Sequence, residues 1–132
     1  MRVLALDFGS ARCGCALSDP TGTLATPIPA VRQPTTEAGL ERIRSLVRDR
    51  GVERVVVGLP LTMSAGTSEQ TDAARAFAEL LRERLSPVPI ELYDERLTTR
   101  LAQRTPGSAD EDSRAAAHLL EGWLNRRART SS

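Results

Sequence analysis

Lysine is missing from this chain; all 18 basic residues are arginine. A compositional bias of the genome accounts for that, and no function follows from it. Aromatic residues make up only 3% of the sequence, which argues against recognition of nucleic acid by base stacking. There is one histidine, His118, so chemistry built on a pair of histidines is excluded; its place beside an apolar stripe fits packing or a surface position. The two cysteines, Cys13 and Cys15, alternate on one strand segment and point the same way, a spacing too strained for a routine disulfide. With His118 they are also too few for a four-ligand structural zinc site, and buried thiols are the expectation. No apolar stretch approaches membrane-spanning length. Met1-Arg2 runs straight into Val3–Leu6 without the pattern of a secretory signal, so a cytoplasmic protein with no membrane contact is expected.

What is present suits a globular domain. With 132 residues, 40% hydrophobic and 27% charged, the chain can bury a real core, and residues 1–132 are read as one domain. The net charge of +1 points neither toward nucleic acid nor away from it.

Val3 to Asp7 is an unbroken apolar run ending in an acid, as expected of a central strand buried on both faces. Cys13–Leu17 and Thr23–Val31 follow at hairpin spacing around an Asp19-Pro20-Thr21-Gly22 turn. Pro27 and Pro29 push the third strand to the sheet edge, because proline cannot donate to a ladder. Leu40, Ile43 and Val47 recur at helical spacing between Thr36 and Arg50, and Gly51 is a stop signal. Val55–Val57 forms the next buried strand, ending at Gly58-Leu59-Pro60, a turn suited to close backbone approach rather than chemistry. A capping box at Thr67 and Gln70 starts a helix marked by Ala73, Ala76, Phe77, Leu80 and Leu81 and closed by Pro87. Val88–Tyr93 is the last strand, ending in Asp94-Glu95, and Ser108 with Glu111 caps a final helix. The order βββαβαβα predicts an α/β fold. A three-stranded antiparallel meander joins two parallel strands in a five-stranded mixed sheet flanked by helices.

Asp7, Gly58 and the Asp94-Glu95 pair all fall at strand carboxyl ends, where ligands collect in such sheets. In the final helix Asp112, Ala116, Leu119 and Trp123 lie on one stripe, so an acid heads the apolar face. Carboxylates gathered there repel one another unless a cation sits among them, and hard oxygen donors suit Mg²⁺ or Mn²⁺. Alternation along the strand does not decide between Asp94 and Glu95. Asp19 is explained by its turn and is left out of the cluster.

Four segments carry a family resemblance. They are Asp7-Phe8-Gly9-Ser10-Ala11-Arg12-Cys13-Gly14-Cys15-Ala16-Leu17-Ser18-Asp19, Val57-Gly58-Leu59-Pro60-Leu61-Thr62-Met63, Asp94-Glu95-Arg96-Leu97-Thr98-Thr99 and Asp112-Ser113-Arg114-Ala115-Ala116. In order and in coverage they resemble the successive signatures of the YqgF (RuvX-like) family. The resemblance implies a ribonuclease H-like fold. It also implies a role as a Holliday junction resolvase, or as a nuclease maturing the 5′ end of the small-subunit ribosomal RNA precursor. Carried onto this sequence, the catalytic, metal-holding acids are Asp7, Glu95 and Asp112, with two Mg²⁺ or Mn²⁺ ions. The loop Thr62-Met63-Ser64-Ala65-Gly66 departs from the family pattern by an extra residue and the lack of an acid.

Arg12 either grips a phosphate beside the metals or pairs with Asp19 on the surface. Arg96, Arg100 and Arg104, spaced four apart, form either a backbone-tracking ridge near the acids or a solvated face. The expected partner is nucleic acid, a four-way DNA junction or ribosomal precursor RNA, and a homodimer would match the two scissile strands of a junction. Two other readings share these features: a non-catalytic nucleic-acid-binding or ribosome-assembly module, and half of an actin-like ATPase.

Overall fold

The computed structural model describes residues 1–9, 11–59, 69–94 and 109–131, with backbone alone at 69–70, 109–112 and 129–131. The elements follow the expected order: β1 (Val3–Asp7), β2 (Arg12–Ser18), β3 (Ala25–Arg32), α1 (Glu37–Asp49), β4 (Arg54–Leu59), α2 (Glu69–Leu85), β5 (Ile90–Asp94) and α3 (Ala109–Ser131). The sheet runs β3-β2-β1-β4-β5. Its first three strands are antiparallel neighbours, while β1, β4 and β5 are parallel.

Each strand alternates between two apolar layers, and that alternation sorts the helices. Leu4, Leu6, Cys13, Cys15, Val55, Val57 and Ile90 face α1 and α2, meeting Leu40, Ile43, Phe77 and Leu81. Val3, Ala5, Ala16, Val56 and Tyr93 face α3, meeting Ala116, Leu119, Leu120 and Trp123. Both cysteines are buried thiols outside any disulfide, as expected. On α3 the apolar members of the stripe, Ala116, Leu119 and Trp123, are buried as read from the sequence, while the Asp112 side chain lies outside the described residues. On α2 the buried stripe is instead Thr71, Ala74, Phe77, Ala78, Leu81 and Leu85; Ala73 and Ala76 are exposed, because runs of alanine leave the helical phase ambiguous.

Local signals set the boundaries. The Thr36 hydroxyl accepts from Gly39 N at 3.1 Å and caps α1. The C-cap is Arg50, and Gly51 follows at φ 63°, a left-handed conformation that glycine adopts without strain. The third strand starts at Ala25, two residues later than its composition suggests. The reason is that Thr23 N and Leu24 N donate to the Asp19 carboxylate instead of to a ladder. The Leu24 N–H first, then the Thr21 hydroxyl and the Thr23 N–H, hold that carboxyl well below the usual carboxylate range. Asp19 is thus a turn acid, as expected. β3 lies at the edge with Pro27 and Pro29, also as expected. The capping residues Thr67 and Ser108 lie outside the described residues. No helix among the described residues is long and apolar enough to cross a membrane.

Phe8, the residue after Asp7, stacks on fully buried Phe77 of α2 with ring centroids 4.7 Å apart. Phe77→Ala is expected to cost about 3–5 kcal/mol in urea denaturation, through lost packing and the cavity left behind.

Candidate active site

Asp7 closes β1 and is only 5% exposed. Val3 and Ala5 face α3, so alternation carries Asp7 to the same side. In the antiparallel register Asp7 pairs with Gly14 of β2. On β4, Gly58 follows Val57, the partner of Leu6. Both glycines fall at α3-facing positions by alternation, Gly14 between Cys13 and Cys15 and Gly58 after Val57, which face the other way. The carboxyl end of β1 is therefore bracketed by two neighbours without side chains. Beyond it the chain turns back so closely that a Cβ on Gly9 would lie 2.6 Å from the carbonyl oxygen of Arg12. Only glycine fits there.

The head of α3 is pinned beside this point. β2 and β3 change register between Cys13, opposite Val31, and Cys15, opposite Ile28. Three residues of β3 therefore span the distance of two on β2, a bulge around Pro29, which has no N–H to pair. The Ser113 hydroxyl bridges the strands there: it donates to Ile28 O at 2.5 Å and accepts from Cys15 N at 3.4 Å. Ser113 is 2% exposed. Cys15 sits opposite Leu6, one residue from Asp7, so this bond sets the first turns of α3 at the level where β1 ends. Further along, Trp123 Nε1 donates to Glu91 Oε2 at 3.0 Å, and Arg54 Nη1 meets Glu91 Oε1 at 3.2 Å.

Of the expected acids, Asp7 is placed with its side chain, Asp112 is placed by its helical backbone directly before Ser113, and Glu95 lies outside the described residues. Asp94 shares the face of Ile90 and Leu92, the α1–α2 side opposite to Asp7. Among the described residues no three His, Cys, Asp or Glu lie together as a metal-binding group. Arg96, Arg100 and Arg104 also lie outside the described residues. Arg12 and Asp19 stand at opposite ends of β2, about 20 Å apart along an extended strand, so the surface pairing of these two does not form. His118 is half exposed and lies 3.5 Å from Glu121.

Arg12 lies directly across from Arg32 of β3. Together with Arg114 of α3 they line an open groove of about 740 Å³ whose floor includes Pro27, Pro29 and Ser113. Sequence reading missed Arg32 and Arg114. Their spacing from Asp7 and Asp112 was visible, but the pairing of Arg32 depends on a bulge that no local pattern reveals.

A five-stranded sheet of this strand order, with helices on both faces, is the ribonuclease H-like architecture. Solved structures agree: Thermus thermophilus RuvC superposes with TM-score 0.60 over 98% of both chains at 15% identity. The fowlpox virus Holliday junction resolvase superposes with TM-score 0.56 over 96% of this chain and 99% of the other, at 12% identity. At such identities these likenesses establish the fold alone. The chain belongs to the RuvX family, described as Holliday junction resolvase, whose model matches residues 1–126. Relatives provisionally named pre-16S rRNA nuclease include one from Anaeromyxobacter sp., 46% identical over 96% of this chain and 98% of the relative. Another, from Mycobacteroides abscessus, is 41% identical over 99% of this chain and 85% of the relative. Family and relatives alike denote a nuclease, a hydrolase of phosphodiester bonds, which sets aside the ATPase-half reading.

Ser113→Ala leaves Cys15 N–H and Ile28 C=O without the bridge. A loss of about 1–3 kcal/mol is expected in chemical denaturation, since buried backbone groups bear the full desolvation cost.

Proposed function

We propose that the chain hydrolyses phosphodiester bonds in structured nucleic acid at a divalent-metal centre held by Asp7, Glu95 and Asp112. The observation that carries this reading is a buried carboxylate at the carboxyl end of the central strand. Side-chain-free positions stand on either side of it, and the head of α3, whose backbone includes Asp112, lies beside it. The donor set proposed here is hard oxygen, which fits Mg²⁺ or Mn²⁺. Of the Asp94-Glu95 pair we take Glu95, the residue the family resemblance implies; the register, which puts Asp94 on the face of Ile90 and Leu92, supports that choice. Two such ions, when bound, supply an activated water for in-line attack and stabilise the departing 3′ oxygen.

The protein's own part is to hold the scissile phosphate in line. Asp7 is fixed by its strand and by the Phe8–Phe77 stack, and Asp112 by the Ser113 bridge one residue on. Arg12 binds a phosphate oxygen at the rim through its fork of donors. With 3% aromatics the chain reads shape and backbone rather than bases. The family description points to a four-way junction and the relatives' names to a ribosomal precursor RNA. The hydrolysis is the same for both. Two scissile strands in a junction call for two copies of the centre, which a homodimer provides.

Cleavage of a four-way DNA junction and of a precursor ribosomal RNA, run side by side, is expected only with Mg²⁺ or Mn²⁺ and to stop on chelation. Asp7→Asn is expected to abolish cleavage while circular dichroism shows the fold retained. Full activity in Asp7→Asn overturns the proposed centre; tight binding without cleavage under any divalent ion supports a non-catalytic module instead.

A further inference from the structure

We propose that the groove between the bulged edge of β3 and the head of α3 holds the sugar–phosphate backbone of the strand leading away from the scissile bond, through Arg12, Arg32 and Arg114. This deepens the nuclease reading and rests on it. Three observations carry it. The first is charge. Arg12 and Arg32 occupy directly opposed positions of an antiparallel pair, and Arg114 lines the same groove, so three guanidinium groups converge on it. Among the described lining residues none is acidic, in a chain with 17 acids. Such a cluster is matched by a polyanion, and guanidinium forks suit phosphate.

The second is continuity. Arg12 lies five residues beyond Asp7, and Arg114 two beyond Asp112, so the groove opens from the proposed catalytic rim. From Pro27 to Arg32 the edge strand runs about 16 Å, room for two or three successive phosphates of a backbone. The third is the floor. Pro27 and Pro29 have no N–H, so this strand offers an added peptide strand fewer donors than an ordinary edge. The bulge is already held by the Ser113 hydroxyl. An extended peptide is therefore a poor occupant, whereas a sugar–phosphate chain needs only cations and an apolar surface for its riboses.

Binding of labelled four-way DNA junction and precursor ribosomal RNA is measured in chelator, where no cleavage occurs, from 50 to 200 mM salt. Each lost phosphate contact lowers the slope of log affinity against log salt by about 0.9 for duplex DNA. R32Q/R114Q is thus expected to lower it by about 1.8, with affinity falling roughly 10- to 100-fold near 0.1 M salt. R32K/R114K is expected to recover most of the slope. R42Q/R48Q, at exposed positions of α1 across the sheet, is the charge-matched control and is expected to bind as the parent does. Parent-like slope and affinity in R32Q/R114Q overturn the groove, as does an equal loss in R42Q/R48Q. Displacement of the labelled nucleic acid by polyglutamate as readily as by unlabelled nucleic acid assigns the groove to acidic peptide and also overturns it. Cleavage by the parent is scored separately: an active parent with an indifferent groove refutes this inference alone, and a parent that binds through the groove yet never cleaves refutes the nuclease reading alone.

Discussion

The rest of the structure follows from burying β1 on both faces. Val3, Leu4, Ala5 and Leu6 are fully buried, so the sheet must carry an apolar layer on each side. α1 and α2 fill one layer and α3 the other. A strand enclosed in this way can present a polar group only at its end, and Asp7 is that end. The position of the candidate centre is therefore a consequence of core packing.

The second layer makes the site possible. α3 is joined to the sheet at two points, the Ser113 bridge near Asp7 and the Trp123–Glu91–Arg54 group farther along. Between them runs a stripe of Ala116, Leu119 and Leu120. The small Ala5 and Ala16 on the opposing strands take that stripe, and Gly14 lies level with Asp7. The irregularity in β3 belongs to the same arrangement: the bulge opens backbone groups that Ser113 binds, and it turns the edge carrying Arg32 toward the head of α3.

Much of this was legible in the residues. Period-two and period-3.6 patterns gave every element in order, the prolines marked the edge strand, and Asp19 declared its turn. The resemblance added the family, which the comparisons bear out over residues 1–126. The phase of α2 was misread where alanines are spread around the helix and hydrophobicity no longer distinguishes faces. The start of β3 was misread because a side-chain carboxylate captured two N–H groups that composition would assign to a ladder.

Local pattern by itself determined which segments are strands and helices, which residues are apolar on one side, and that acids stand at strand ends, because these depend on neighbours a few positions apart. Only the tertiary structure decided that Asp94 falls on the face opposite to Asp7, that Arg12 lies across from Arg32 at the far end of β2 from Asp19, and that Ser113 closes the gap in the ladder. Each depends on strand register and on a one-residue bulge. A shift of a single residue exchanges the two faces of a strand, and nothing short of the assembled sheet sets that shift.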